Sequence, residues 1–219
     1  MRQEIKIVVS KNNLIISILF IFFVFLIRQI ESDLDIGAQV DQYLPVLVIV
    51  CGSNIIYSEF YGDMKDIFRK LGYKNNFFMV LRRIVIQCIA FFILSMSFYF
   101  LFFLKRPLIE GNLFLEYIKA QFAVAVSIVF FSCFTVFSVC VFKNKYVGMG
   151  LVLLFWALMT STIGEKIIPE CNVMSYIFLE NGMSNIHWII GKIVAIFVSI
   201  IFIIEIEKIL KLNREKVKM

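Results

Sequence analysis

Residues 117–142 read YIKAQFAVAVSIVFFSCFTVFSVCVF, and this stretch decides the fold class. It carries one charged side chain, Lys119, close to its start, and every later residue is apolar or uncharged. A helix needs about 20 consecutive, mostly apolar residues to cross the hydrocarbon core of a bilayer. We therefore predict that this stretch forms a transmembrane helix.

Five more apolar runs of similar length lie on either side of this stretch. The six predicted spans cover residues 14–30, 43–60, 84–104, 117–142, 147–163 and 188–204. The second is the weakest, because it contains Pro45 and Asn54. The composition agrees, with 61% hydrophobic and 17% charged residues and a mean hydropathy of +0.89, since soluble domains carry about 25% charged residues. The sequence predicts an all-α integral membrane protein with a single transmembrane domain over residues 1–219.

The distribution of basic residues predicts the orientation. Sixteen of the 22 basic residues fall on the side that holds both termini, and five fall on the other side. Because basic loops stay in the cytoplasm, we expect a multi-pass protein of the cell (plasma) membrane with both termini cytoplasmic. The basic residues adjoin apolar runs, where they would face anionic head groups, so the net charge of +6 indicates the lipid bilayer as a partner and no nucleic acid.

The sequence lacks the residue patterns that catalysis and metal binding need. The single histidine, His187, stands beside Trp188 at the start of the last span, a pair typical of an anchor at the membrane interface. There is no H-E-x-x-H pair, no C-x-x-C pair and no glycine-rich phosphate loop. We expect no enzyme activity, no catalytic or metal-binding residue and no cofactor in this chain.

Charged residues are almost absent from the predicted spans. Lys192 lies about one helical turn inside the last span, and we expect its ammonium group to reach the lipid head groups. Ion-coupled transport normally needs ionisable groups buried among the spans, so we expect the energy for any transport to come from elsewhere. The odd number of cysteines argues against a disulfide framework, and Cys171 is the one expected outside the membrane.

The loop after the second span contains a predicted amphipathic helix at residues 63–71. Asp63 is a suitable N-cap and Gly72 a suitable residue to end the helix. The apolar residues between them recur at i, i+3, i+4 and i+7 and form one stripe, Met64, Ile67, Phe68 and Leu71. Such a helix either lies on the membrane surface or docks on a partner protein, and the pattern alone leaves both interpretations open.

This arrangement resembles the ABC-2 type permease subunit of ATP-binding cassette transporters. In that family an amphipathic segment precedes span one, as residues 3–11 do here, and an acidic residue and a glycine follow span two, as Glu59 and Gly62 do. Residues 63–71 correspond to the family's coupling helix, although Gly72 stands where the family often has a proline. Residues 164–185, which contain Pro169, correspond to a re-entrant hairpin between spans five and six.

The resemblance implies a transport function with energy supplied by another subunit. A separate ATP-binding cassette ATPase would bind ATP and magnesium and dock on the coupling helix, and a second copy of this chain or a related permease would complete the pathway. The cargo would be amphipathic or hydrophobic, such as a peptide, an antibiotic or a lipid, which fits efflux of antimicrobial peptides or self-protection. The alternatives are the substrate-binding membrane subunit of a vitamin uptake transporter and an assembly factor with no transport role.

Small residues recur every four positions in the last span. They are Gly191, Ala195 and Ser199, and they would lie on one face of a helix. Small residues let helices approach closely in lipid, so we predict a helix-packing seam within the bundle, with a dimer contact as the alternative.

Overall fold

The computed structural model describes residues 8, 11–30, 32–60, 73–104, 113–167, 171–179 and 185–218. These residues form α-helices joined by short connections and contain no strand. The helices are α1 (Lys11–Ile27), α2 (Asp33–Gly52), α3 (Asn54–Phe60), α4 (Tyr73–Phe103), α5 (Leu113–Phe142), α6 (Lys145–Met159), α7 (Thr162–Ile167) and α8 (Asn185–Lys218), with a 3₁₀ turn at Ser175–Phe178.

Four of the described helical segments are long and apolar enough to cross a membrane. They are Leu34–Tyr57, which joins α2 to α3, Lys74–Phe103, Phe114–Phe142 and Ile186–Leu212. The other two predicted spans form shorter apolar helices, Asn13–Ile27 and Lys145–Met159. The prediction of an all-helical fold is confirmed over the described residues, four of whose helical segments are long and apolar enough to cross a membrane, and the number of six spans stays a prediction.

Helix α5 is the centre of the bundle and packs against α2, α4, α6 and α8. Its most apolar window is 72% buried, against 33% for α4 and 28% for α8, so α5 faces protein where α4 and α8 also face lipid. Small side chains on α5, such as Ala120 and Ala123, are fully enclosed and let its neighbours approach closely. Helix α1 packs against α2 and α4, and most of its large apolar side chains are exposed.

A cluster of phenylalanines joins α5 to α6 and α8. The ring of Phe134 stacks on Phe202 with centroids 5.0 Å apart, and its edge meets Phe155 at 5.3 Å. The ring of Phe130 lies 5.9 Å from that of Phe155 and 6.0 Å from that of Phe202 between centroids. This cluster supplies much of the apolar packing between α5, α6 and α8.

Helix α2 ends at Gly52 and α3 begins at Asn54, so the long segment has a break at Ser53. Two side chains of α4 donate hydrogen bonds to backbone oxygens on either side of this break. Gln87 Nε2 lies 2.8 Å from Val48 O, and Arg83 Nη1 lies 3.0 Å from Ile55 O. These two hydrogen bonds fix α4 to the backbone on both sides of the break.

Candidate functional site

Most of the predicted ATPase-docking residues lie outside the described residues. These are Gly62 and the coupling-helix residues Asp63, Met64, Ile67, Phe68 and Leu71. Glu59 lies in the last turn of α3, whose backbone is described up to Phe60. The predicted leading segment, residues 3–11, is described only at Val8 and Lys11. The docking function of these residues stays a prediction.

The described part of the chain contains a buried ion pair that the sequence analysis missed. Lys192 Nζ of α8 lies 2.7 Å from Asp41 Oδ2 of α2 and donates a second hydrogen bond of 2.7 Å to Ser127 Oγ of α5. The side chains of Lys192 and Asp41 are both 0% exposed. The contact ties together three of the four long helices.

Two expectations about charge are therefore wrong. Lys192 does not extend toward head groups, because its ammonium group is held inside the bundle by Asp41 and Ser127. The interior is also not free of ionisable groups, because Asp41 belongs to a helix and not to the preceding loop. Helix α2 begins at Asp33, where the Ser32 hydroxyl accepts a hydrogen bond of 3.1 Å from the Asp35 backbone N–H. Asp41 thus lies about 12 Å inside the helix, given a rise of about 1.5 Å per residue.

The electrostatics of this pair make it costly to disturb. Moving an ion from water into a protein interior costs several kcal/mol, and the attraction between the partners offsets that cost only while both are present. Asp41 Oδ1 has no hydrogen-bond partner among the described residues, so the carboxylate is incompletely satisfied. Charged side chains that are buried inside a membrane domain commonly have a function in transport or signalling.

The backbone of α2 is irregular next to the pair. Pro45 lies inside the helix and has no N–H to donate to the Asp41 carbonyl one turn earlier. Trp156 of α6 donates its indole N–H to the neighbouring Gln42 carbonyl at 2.9 Å. The Asp41 carbonyl thus lacks its usual helical donor, and the Trp156 bond to the next carbonyl fixes α6 to α2 at the same level.

Residues 171–179, here called the hairpin segment, pack into the bundle beside the pair. Asn172 is 0% exposed; its amide donates to Met159 O at 2.9 Å and its side-chain oxygen accepts from Met174 N at 2.8 Å. Met174 and Tyr176 are 0% and 1% exposed. Residues 172–176 and 178 are thus part of the core, whereas Cys171 at the start of the hairpin segment is exposed.

Two glycines make room for the hairpin segment. A Cβ atom added to Gly191 would lie 2.2 Å from Asn172 O, and one added to Gly37 would lie 2.8 Å from the Tyr176 hydroxyl. The predicted packing residue Gly191 therefore lies against the hairpin segment. The other two residues of the predicted seam, Ala195 and Ser199, are 0% and 3% exposed within the single chain.

Several polar atoms around the hairpin segment are buried without a partner in the described part of the chain. They are Asp41 Oδ1, Glu116 Oε2, Ser175 Oγ, Tyr176 Oη and Trp188 Nε1. Native proteins pair more than about 90% of buried polar groups, so a concentration of unpaired ones marks a place where water or a ligand is needed. Trp188, predicted as an interfacial anchor, is 5% exposed and meets the Tyr176 ring at 5.3 Å between centroids.

Tyr176 contributes a phenol O–H donor to this group, beside the indole N–H of Trp188 and the hydroxyl of Ser175. Burial raises the pKa of its phenol above the usual range, and the nearby carboxylates of Glu116 and Asp41 raise that pKa further. The phenol is thus protonated at all physiological pH values. The arrangement provides a donor, two carboxylates and an ammonium group in one enclosed region.

The described ranges contain no group of three or more His, Cys, Asp or Glu side chains that could hold a metal ion. The cysteines are all free thiols, with Cys171 exposed and Cys51, Cys133 and Cys140 buried.

The chain matches no protein-family model, no curated protein and no solved structure. Fold and site together define an all-helical protein whose long apolar helices suit a membrane, with a buried ion pair beside the buried residues of the hairpin segment.

Proposed function

We propose that the chain is the transmembrane permease subunit of an ATP-binding cassette transporter of the ABC-2 type. The observation that carries the proposal is the hairpin segment between α6 and α8, whose residues Asn172, Met174 and Tyr176 are at most 1% exposed. A re-entrant hairpin at this place in the order of spans is part of the resemblance to that family. An ordinary extracellular loop would leave these side chains in water.

Six spans with both termini in the cytoplasm fit the helices. Helix α1 has 17 residues and α6 has 15, which correspond to about 26 and 22 Å of length. Both are shorter than the hydrocarbon core of about 30 Å, and local thinning of the bilayer accommodates such helices. The sixteen-to-five division of basic residues supports the orientation.

The buried pair has a mechanical role in this proposal. Helices α2 and α3 lead directly into residues 61–72, which include the predicted coupling helix. The side chains of Arg83 and Gln87 connect α4 to the backbone of α3 and α2. Asp41 connects α2 to Lys192 of α8, whose ammonium group also donates a hydrogen bond to Ser127 of α5. A push from an ATPase on residues 61–72 would therefore move α2 together with α5 and α8, and open or close a pathway shared with a second permease copy.

Ion-coupled transport is a second candidate, and the buried pair favours it. Ionisable groups inside the membrane commonly serve as proton or ion relays, and Asp41 keeps one oxygen without a partner among the described residues. In that case transport would stop when the proton gradient is dissipated and would not need an ATPase.

Co-purification separates the two candidates. The full chain is expressed with an ATP-binding cassette ATPase from the same genome, extracted in mild detergent and analysed by native mass spectrometry. We expect a complex of two permease chains with two ATPase chains. Recovery of the chain alone, together with loss of its cellular function when the proton gradient is dissipated at constant ATP, would reject the ABC-2 proposal in favour of ion coupling.

A further inference from the structure

A cavity of about 70 Å³ lies between α1, α2 and α4, away from the buried ion pair. Its walls are mostly apolar, with Leu14 from α1 and Phe91 and Leu94 from α4. The polar residues in the wall are Asn13, Ser17, Cys51 and Gln87. A single water needs only about 10–15 Å³ of such space, so the cavity has room for several non-hydrogen atoms.

Gln87 supplies a buried acceptor in the wall of this cavity. The residue is 0% exposed, and its amide nitrogen is engaged with Val48 O at 2.8 Å. That hydrogen bond fixes which end of the amide is nitrogen, so the remaining atom is the oxygen, which has no partner in the described residues. A buried acceptor of this kind is stabilised by an O–H or N–H group brought in by a ligand.

The second polar group of the wall has the same chemical preference. Ser17 is 4% exposed and donates its hydroxyl proton to Asn13 O at 2.8 Å, so its oxygen keeps the capacity to accept. The cavity therefore presents the Gln87 and Ser17 oxygens, together with the Asn13 amide and the Cys51 thiol, and surrounds them with apolar surface. The outer face of α1 is lined by exposed side chains such as Ile18, Leu19 and Phe22, which places the cavity one helix away from lipid.

We propose that this cavity binds the hydroxyl- or amide-bearing end of an amphipathic molecule that enters from the bilayer, with Gln87 Oε1 as the acceptor for its proton. The inference rests on the proposed function and names the chemical class of cargo for it. A bilayer lipid and a transported amphiphile share this chemistry, and both satisfy the Gln87 oxygen.

Photolabelling tests the site directly in the full chain, reconstituted in phosphatidylcholine nanodiscs without an ATPase. The probe is a monoacylglycerol with a diazirine close to its glycerol end, and the matched probe is the methyl ester of the same fatty acid, which has no donor. We expect the monoacylglycerol to label peptides that contain Leu14, Ser17 or Phe91 about fivefold more than the ester does, as one additional hydrogen bond implies. Equal labelling by the two probes would overturn the proposal.

A cavity-filling variant provides the second readout. Ala90 lines the cavity, and Ala90→Leu adds three carbon atoms there, so labelling of the cavity peptides should fall to the level of the ester. The matched control is Ala157→Leu on an exposed face of α6, which should leave labelling unchanged. Undiminished labelling in Ala90→Leu would place the probe on the lipid surface and contradict the site.

Two further arms identify the source of the occupant. A lipid that remains bound to the purified chain in native mass spectra identifies the occupant as a bilayer component. Loss of labelling during ATP turnover by the complex with its ATPase identifies the occupant as cargo. The labelling needs no ATPase, so a negative labelling result would reject the cavity site without bearing on the ABC-2 proposal. Conversely, failure of the ATPase to co-purify would reject the ABC-2 proposal without bearing on the cavity site.

Discussion

Replacement of Lys192 by alanine should destabilise the chain strongly. The change leaves the Asp41 carboxylate, which is 0% exposed, without its ammonium partner. Breaking a buried pair by removing one partner costs about 3–5 kcal/mol. For a chain of 150–250 residues each kcal/mol lowers the unfolding midpoint by about 2–4 °C, so the expected loss is roughly 6–20 °C.

The assay is thermal unfolding in detergent with a maleimide dye that fluoresces on reaction with thiols. Cys51, Cys133 and Cys140 are buried and become reactive only on unfolding, so the native chain carries its own reporters. Unfolding of membrane proteins in detergent is often irreversible, so the midpoints are compared at one scan rate.

Two control variants define what the result means. Lys119→Ala removes an ion pair with Glu116 of similar length, 2.8 Å, in which the lysine side chain is 32% exposed. Loss of this exposed pair should lower the free energy of unfolding by at most about 1 kcal/mol. The double variant Asp41→Leu/Lys192→Met removes both charges and should be more stable than Lys192→Ala. A midpoint for Lys192→Ala within about 2 °C of the wild type would refute the reasoning, since it would mean that Asp41 needs no partner.

Three further changes test other parts of the structure. Gly191→Ala should displace the hairpin segment and cost roughly 1–3 kcal/mol in the same assay, whereas Gly150→Ala, where an added Cβ meets nothing within 4 Å, should leave stability unchanged or raise it by up to about 1 kcal/mol. Phe68→Asp should weaken pull-down of the ATPase by at least tenfold, because it removes about 1.5–3 kcal/mol of apolar burial and adds a buried charge, whereas Lys65→Asp should affect docking less; the reverse order would identify residues 63–71 as a membrane-surface helix. A variant that retains only Cys171 should react with an impermeant maleimide in intact cells, and reaction only after the cells are opened would invert the predicted orientation.

The positions of the helices were predictable because the signal for a membrane helix is local. About 20 consecutive apolar residues suffice, and residues 84–104 and 117–142 each contain them without reference to the rest of the chain. Each of the six predicted spans overlaps a described helix. The start of α2 was missed by ten residues, because residues 33–42 are too polar to count as membrane-embedded on hydropathy alone.

The buried pair was not predictable for a different reason. Asp41 and Lys192 are 151 positions apart, and each by itself is a charge close to the end of an apolar run. Such charges usually face head groups, so a single sequence favours that interpretation for both. Only the packing of α2, α5 and α8 brings the two together. The sequence does show opposite charges near the same end of two predicted spans. It does not show that these two spans pack against each other.

Nucleotide turnover by the reconstituted complex tests the central claim most directly. The chain and its ATPase are assembled in lipid nanodiscs, and phosphate release from ATP is measured for the complex, for the chain alone and for a complex whose ATPase lacks the phosphate-loop lysine. The account predicts turnover by the complete complex only, reduced when Phe68→Asp is introduced in the permease, because this chain has no phosphate loop of its own. ATP turnover by the chain alone would contradict the account. An ATPase that does not bind the chain, and whose turnover does not change when the chain is added, would also contradict it.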